Sequence, residues 1–392
     1  MQIDAVDFFY LSMPEIADVG DGSQDALVVR VRAGQNTGWG ECEAAPLVSI
    51  ASWCCPMSHS ACHPLADSVL GERLDDVADI RRINRSVRER SLDLLQADHT
   101  LSGIDIALWD LLGRARGVPV WQLLGLARAE PKTPYASLLF GDTPEDTFTG
   151  AQRVVAAGYR AAKFGWGPYG RGAVEDDAAQ VRAAREGLGP DARLLVDAGT
   201  VWGDDVDAAA RRLAALEANA AEWLEEPFVS GALESYGRLA RMCRSLRLAG
   251  GEGCHNFHQA KQMIDHARIG YVQIDAGRIG GITTAWEVAQ YARQRQVTYV
   301  NHTFTSYLAL AASLLPLAAE PSDTLCEYPV ESSELARGLT RTAIEPGDDG
   351  LVRLPEGPGL GIEPDLATLR RYLVETEIRV GGRLLYRTPM VD

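Results

Sequence analysis

Leu194-Leu195-Val196-Asp197, Trp223-Leu224-Glu225-Glu226-Pro227 and Leu248-Ala249-Gly250-Gly251-Glu252 share one design: a short apolar run that ends on a carboxylate. The design continues in Tyr271–Asp275, Thr298–His302 and Leu325–Tyr328, which carry Asp275, His302 and Glu327. It begins in Tyr159–Phe164, which carries Lys163. From Asp197 to Glu327 the ionisable side chains stand 28, 27, 23, 27 and 25 residues apart. Each interval holds one strand, one helix and their loops. Amphipathic stretches at Val174–Leu188, Asp204–Ala218, Thr283–Arg293 and Tyr307–Leu315 supply helices. Repeated β-then-α units demand a parallel sheet with helices packed outside. Six or more close most simply into a barrel, whose active site lies at the C-terminal ends of the strands. All seven ionisable side chains are therefore expected at one rim.

Outward from this region, the N-terminal stretch reads as a smaller α+β unit. Ala26–Arg32 alternates as a half-buried strand, Gly34-Gln35-Asn36 is turn material, and Trp39–Glu43 is the returning strand. A helix is predicted from Ser102, with Asp105 as its capping-box partner and Gly117 past its end. Pro131 and Pro134 mark a boundary, which gives a first domain of residues 1–130 and a barrel of 131–356. The Gly/Pro-rich segment 357–392 is expected to pack back on the first domain.

The chain has 392 residues, enough for two domains and a sizeable core. A net charge of −16 disfavours nucleic acid and anionic membranes as partners. An acidic substrate would need local cations to hold it. No apolar run is long enough for a transmembrane helix, and Met1-Gln2-Ile3-Asp4 does not open a secretory signal. Seven scattered cysteines suit a reducing compartment. A cytoplasmic location is expected.

Asp197, Glu225 and Glu252 come from three consecutive strands and offer the hard oxygen ligands that Mg²⁺ takes. Removing a proton next to a carboxylate yields an enediolate, which concentrated positive charge must stabilise. Lys163 is the candidate base, if burial and nearby positive charge depress its pKa. Asp275 is placed to accept a ring N–H of His302 and fix its tautomer.

At these residues the sequence resembles the enolase superfamily, specifically the mandelate racemase subgroup with its acid-sugar dehydratases. The likeness runs through Gly38-Trp39-Gly40-Glu41, Ser102–Asp110, Val196-Asp197-Ala198, Glu225-Glu226-Pro227, Gly251-Glu252, Gln273-Ile274-Asp275, Gly280-Gly281-Ile282-Thr283, Asn301-His302 and Gly357–Gly361. It implies a (β/α)7β barrel with an N-terminal α+β capping domain. It implies Asp197, Glu225 and Glu252 as Mg²⁺ ligands, Lys163 as base, and His302–Asp275 as the opposing dyad. Glu327 matches the last-strand acid that bonds the substrate carboxylate or its enediolate. Enzymes of this kind are commonly homo-oligomers, and the same is expected here. The chain departs from the pattern at Ala161, where many relatives carry the first lysine of a Lys-x-Lys pair. It departs again at Gly199, where many have Asn, and in the turn Phe164-Gly165-Trp166-Gly167-Pro168.

Such a site suits dehydration of an acid sugar to a 2-keto-3-deoxy acid. Lys163 would take the α-proton and His302 would protonate the departing hydroxyl. Racemisation or epimerisation of a 2-hydroxy acid and cycloisomerisation of a sugar lactone use the same groups. A barrel that binds metal and acid without turnover is the reading of another class. Cys54–His63 holds many soft ligands, but its spacings match no usual zinc pair; a cap loop is expected, with His59 or His63 reaching the pocket from above. The cap loop Ile16–Gln24 is expected to close over substrate. His255 is either a substrate contact or a solvated loop residue, and Glu41 is expected to be structural. No phosphate-binding Gly-rich loop and no Gly-x-Ser-x-Gly elbow is present.

Overall fold

The computed structural model describes residues 1–43 and 45–392. Eight parallel strands form its larger sheet: β4 (Thr133–Leu139), β5 (Ala161–Gly165), β6 (Arg193–Asp197), β7 (Ala221–Glu225), β8 (Arg247–Gly250), β9 (Tyr271–Asp275), β10 (Thr298–His302) and β11 (Leu325–Pro329). The spatial order runs β10-β9-β8-β7-β6-β5-β4-β11. At the seam between β10 and β11 the side chain of Asn301 does the joining. Its Oδ1 accepts from the Glu327 N–H at 2.8 Å and its Nδ2 donates to the Glu327 carbonyl at 3.4 Å. The sheet is thus a nearly closed barrel with helices outside.

Alternation along each strand stacks the barrel interior in layers. The lower layer is apolar: Tyr135, Ala161, Leu195, Trp223, Ala249, Val300 and Leu325 form one closed cluster. Two residues further along β5, β6 and β7 the same inward face carries Lys163, Asp197 and Glu225. Ala161 therefore belongs to packing. The rings of Tyr135 and Trp223 meet edge to face at 5.5 Å in the same cluster.

The smaller unit begins with an antiparallel meander of β1 (Ala5–Ser12), β2 (Asp25–Ala33) and β3 (Asn36–Cys42). A helix, Ala97–Arg116, lies across β3. A Cβ on Gly40 would stand 2.2 Å from the Gly103 carbonyl oxygen, and one on Gly103 would stand 2.5 Å from Cys42 Sγ. Only glycine permits so close an approach of backbones, which gives Gly38-Trp39-Gly40 a packing origin. The C-terminal hairpin, β12 (Glu377–Val380) and β13 (Arg383–Arg387), returns to this unit. Tyr386 Oη donates to the Phe8 carbonyl at 2.6 Å, and Arg30 meets the Asp392 carboxylate at 2.6 Å.

Several expectations need correction. The cap helix starts at Ala97, not Ser102. Ser102 Oγ donates to the Asp98 carbonyl inside the helix and accepts the N–H of Gly280. Asp105 caps nothing on its own helix. Its carboxylate accepts from the Thr283 N–H at 3.0 Å, the Thr283 hydroxyl at 2.6 Å and Asn84 at 3.1 Å. These bonds tie cap to barrel at the Gly280–Thr283 turn. The helix expected over Asp204–Ala218 is two pieces, Val206–Ala210 and Leu213–Ala218, because Arg212 is buried against Asp177 at 2.9 Å. Strand β4 is an addition; its residues Pro134 and Ser137 gave no strand-end charge to find.

Candidate active site

Lys163 sits mid-strand on β5, buried, with its ammonium 2.6 Å from Glu225 Oε1, 2.8 Å from Glu327 Oε1 and 3.7 Å from Asp197 Oδ2. Across the barrel, at the end of β10, His302 Nδ1 lies 2.7 Å from Asp275 Oδ2. Its Nε2 lies 3.0 Å from Glu252 Oε2 and 4.0 Å from Glu327 Oε2. All seven residues singled out by the sequence thus meet at one rim. Glu327 stands between the two candidate proton carriers.

Two residues join them that the sequence reading missed. Arg278 donates to Glu252 at 3.1 Å and pairs with Glu43. Glu43, just past β3, brings a cap-domain carboxylate within 3.9 Å of His302 Nδ1. Glu43 lies just past β3 and Arg278 in the turn that follows β9, positions that no strand-end spacing marks. Glu41 itself is fully buried and bonded to the Ser306 hydroxyl, which is a structural role.

The charges compete for too few cations. Burial lifts Asp197 to about 6 and Glu225 to about 8, since one ammonium serves Glu225 and Glu327 together. Burial opposes the charged form of Lys163, yet Glu225 and Glu327 outweigh it and hold the ammonium well above its ordinary value. The depressed lysine pKa expected from the sequence is thus absent in this arrangement, because carboxylates rather than cations surround Lys163. Burial would likewise keep His302 neutral, but Glu252 and Glu327 raise it well above the usual range. Glu252 stays below its ordinary value despite burial, owing to His302 and Arg278.

The donor set suits a hard divalent ion. Asp197, Glu225 and Glu252 offer only oxygen ligands, and buried carboxylate charge exceeds the cations that face it. Among the described residues, the group whose ligand atoms already lie within 4.8 Å of one another is Glu43, Asp275 and His302. Its imidazole nitrogen and its Arg278 contact suit Mg²⁺ less well. In the three-carboxylate set, the ammonium of Lys163 and the pair His302 and Arg278 hold the oxygens of different members.

The pocket above these groups has a volume of about 270 Å³. Val19, Gly20, Asp21 and Gly22 of the cap loop border it, as do Trp166 and Phe304. His59 and His63 do not reach it. They pair with Asp93 at 3.1 Å and Asp67 at 3.0 Å within the cap domain, and these carboxylates hold the imidazoles away from the pocket. His255 also lies outside the lining; its Nδ1 bonds His99 Nε2 at 2.8 Å. A second cavity, about 310 Å³ beside Tyr159, Tyr307 and Tyr328, holds none of the rim residues.

Residues 147–368 match the enolase C-terminal domain-like family, and residues 14–125 match the mandelate racemase / muconate lactonizing enzyme N-terminal domain. The chain belongs to the mandelate racemase / muconate lactonizing enzyme family of the enolase superfamily. It is similar to a crystal structure described as a predicted mandelate racemase from Rhodobacter sphaeroides, with a TM-score of 0.95 and 58% identity over 99% of this chain and 100% of that one. It is 32% identical to the 3,6-anhydro-alpha-L-galactonate cycloisomerase of Streptomyces coelicolor, over 71% of this chain and 73% of that protein. It is 30% identical to the D-galactonate dehydratase of Ralstonia nicotianae, over 79% of this chain and 82% of that protein. The relatives are enzymes acting on small acids, and the family member described here is an enzyme of the same superfamily. Among the described residues no helix is long and apolar enough to cross a membrane.

Proposed function

We propose that this family member abstracts the α-proton of a sugar acid with Mg²⁺ present and eliminates the β-hydroxyl, giving a 2-keto-3-deoxy acid. The observation that carries the reading is the convergence of two proton carriers on one carboxylate. Lys163 Nζ lies 2.8 Å from Glu327 Oε1, and His302 Nε2 lies 4.0 Å from Glu327 Oε2. A substrate carboxylate seated at Glu327 would have one carrier on either side.

Asp197, Glu225 and Glu252 would hold the ion, which supplies positive charge to the enediolate oxygens and draws off the carboxylate charge now facing Lys163. As the neutral amine, its ammonium proton given up to solvent, Lys163 would take the proton from the α-carbon. Asp275 keeps the Nδ1 proton on His302, so Nε2 is the atom that delivers a proton to the departing hydroxyl. In its acid form Glu327 would donate a hydrogen bond to the substrate carboxylate. Seven free cysteines, three of them buried, support a cytoplasmic setting.

A second reading is cycloisomerisation of a sugar lactone or anhydro sugar acid, supported by the 32% identity to a cycloisomerase. There His302 returns a proton to the enolate after the ring oxygen has left. A screen of mono- and diacid sugars in Mg²⁺, read by a keto-acid assay and by deuterium uptake from solvent, tests both. Keto acid from an open-chain acid supports dehydration. No keto acid and no deuterium uptake from any acid would remove both readings.

A further inference from the structure

Trp166 borders the pocket together with the cap loop, and the chain commits several positions to holding it there. Trp166 has φ of +56°, in the left-handed region that a bulky aromatic enters only under constraint. Its indole packs against two glycines from different domains. A Cβ on Gly20 of the cap loop would stand 3.1 Å from the ring, and one on Gly199, beyond Asp197, would stand 2.8 Å from it. Gly167 follows at φ +60°, where a Cβ would stand 2.8 Å from the Phe140 carbonyl oxygen. Yet the indole is 40% exposed and faces the pocket. A strained backbone that holds an aromatic face toward a pocket, rather than into the core, points to a ligand surface.

The charges lining the pocket narrow the ligand. Among the described lining residues the cations are Lys163, Arg278 and His302. Lys163 faces Glu225 and Glu327, His302 faces Asp275 and Glu252, and Arg278 spans Glu43 and Glu252. The cap contributes Asp21 and Glu43 and no cation. A second carboxylate on the substrate would meet the carboxyl groups of Asp21 and Glu43 and, with Glu252 engaged by the ion, would still have to take Arg278 from Glu43. A hydroxylated, uncharged tail meets no such conflict, and its C–H face suits the indole.

We infer that Trp166 is a specificity-determining residue that stacks on the uncharged tail of a monocarboxylate sugar acid, and that dicarboxylate sugars are excluded. The inference rests on the proposed reaction only in seating the reacting carboxylate beside Glu327.

The test uses matched C6 aldonates and aldarates with Mg²⁺. Calorimetry on K163A, which cannot start the reaction, reads binding alone. The tightest aldonate is expected to bind at least about tenfold better than its aldarate. Adding W166A should weaken that aldonate at least about tenfold and leave glycerate, which has no tail, unchanged; W166F should restore part of the loss. G20A, which crowds the indole without deleting it, should weaken the aldonate in the same direction. In an otherwise wild-type chain W166A should raise KM and hold kcat within about threefold. Aldarates that bind as well as aldonates, unchanged aldonate binding in both W166A and G20A, or no binding by any sugar acid would overturn the inference. If the binding pattern holds while wild type releases no product and takes up no deuterium, the proposed reaction fails and this inference stands. If deuterium exchange occurs without the pattern, this inference fails alone.

Discussion

Asp105 and Asp110 on the cap helix are as deeply buried as Asp197 and Glu225 at the barrel rim, and burial lifts Asp105, Asp110 and Asp197 to the same value of about 6. Their partners differ in kind. Asp105 is bonded to Asn84 and to the Thr283 N–H and hydroxyl. Asp110 accepts the N–H of Trp39 at 2.8 Å and of Leu360 at 2.7 Å, besides Arg114. Backbone donors are fixed by the fold and cannot be exchanged. The rim carboxylates also have fixed donors, the Gly199 N–H on Asp197 at 2.8 Å and the Trp223 indole N–H on Glu225 at 3.1 Å, but they face in addition the ends of long side chains, Lys163 and Arg278, and an imidazole. Carboxylates held by fixed donors fasten domains together. Carboxylates held by movable cations can be handed to another cation. A perturbed pKa does not separate the two roles; the donor does.

The comparison breaks most sharply if rim and junction respond alike to mutation. K163A should lower turnover by about 10²–10⁴-fold while the thermal melt in Mg²⁺ stays near that of wild type. A melt that collapses with the rate would make Lys163 a structural residue like Asp110. D110A should do the reverse. It leaves the N–H groups of Trp39 and Leu360 without an acceptor, at a cost of about 2–5 kcal/mol read by urea unfolding, with turnover per folded molecule unchanged.

Magnesium should distinguish the two sets next. A hundredfold excess over its Kd should stabilise wild type by about 3 kcal/mol, and chelation should remove the gain. E225Q or E252Q should abolish the response, and D105N should keep it. A response that survives E225Q and E252Q but not a change at Glu43 would move the metal to the Glu43, Asp275 and His302 group.

The smallest expected effect is in pH. Asp105 titrates near 6 in the folded chain against an ordinary 3.8, so between about pH 4 and pH 6 the folded state binds more protons than the unfolded one. Its contribution to stability therefore falls as pH rises through that window. D105N carries no such proton. The stability of wild type minus that of D105N should be greater at pH 4.5 than at pH 7 by about 2 kcal/mol. An opposite sign would mean that the Thr283 bonds favour the carboxylate enough to overcome burial.

Much of the rim was legible because a βα unit has a narrow range of lengths. Spacing alone placed Asp197, Glu225, Glu252, Asp275 and His302 at or near successive strand ends; four now end their strands and Glu252 stands two residues past β8. Strand β4 was not, since it ends without a charge and two prolines mimic a boundary. Glu43 and Arg278 were hidden for another reason. Glu43 lies on the cap and Arg278 on a loop, so no periodicity ties them to the rim. Ser102 and Asp105 match the spacing of a capping box. They are mid-helix because their real partners, Gly280 and Thr283, are remote in sequence.

The sequence by itself determined the barrel and the placement of its ionisable groups at or near the strand ends, because strand alternation and helix length are local properties. Only the tertiary structure decided which buried carboxylates tie remote segments together and which face a cation inside the pocket, and that Trp166 packs against Gly20 and Gly199. Those outcomes depend on which remote segments meet, and chain-local forces carry no information about that.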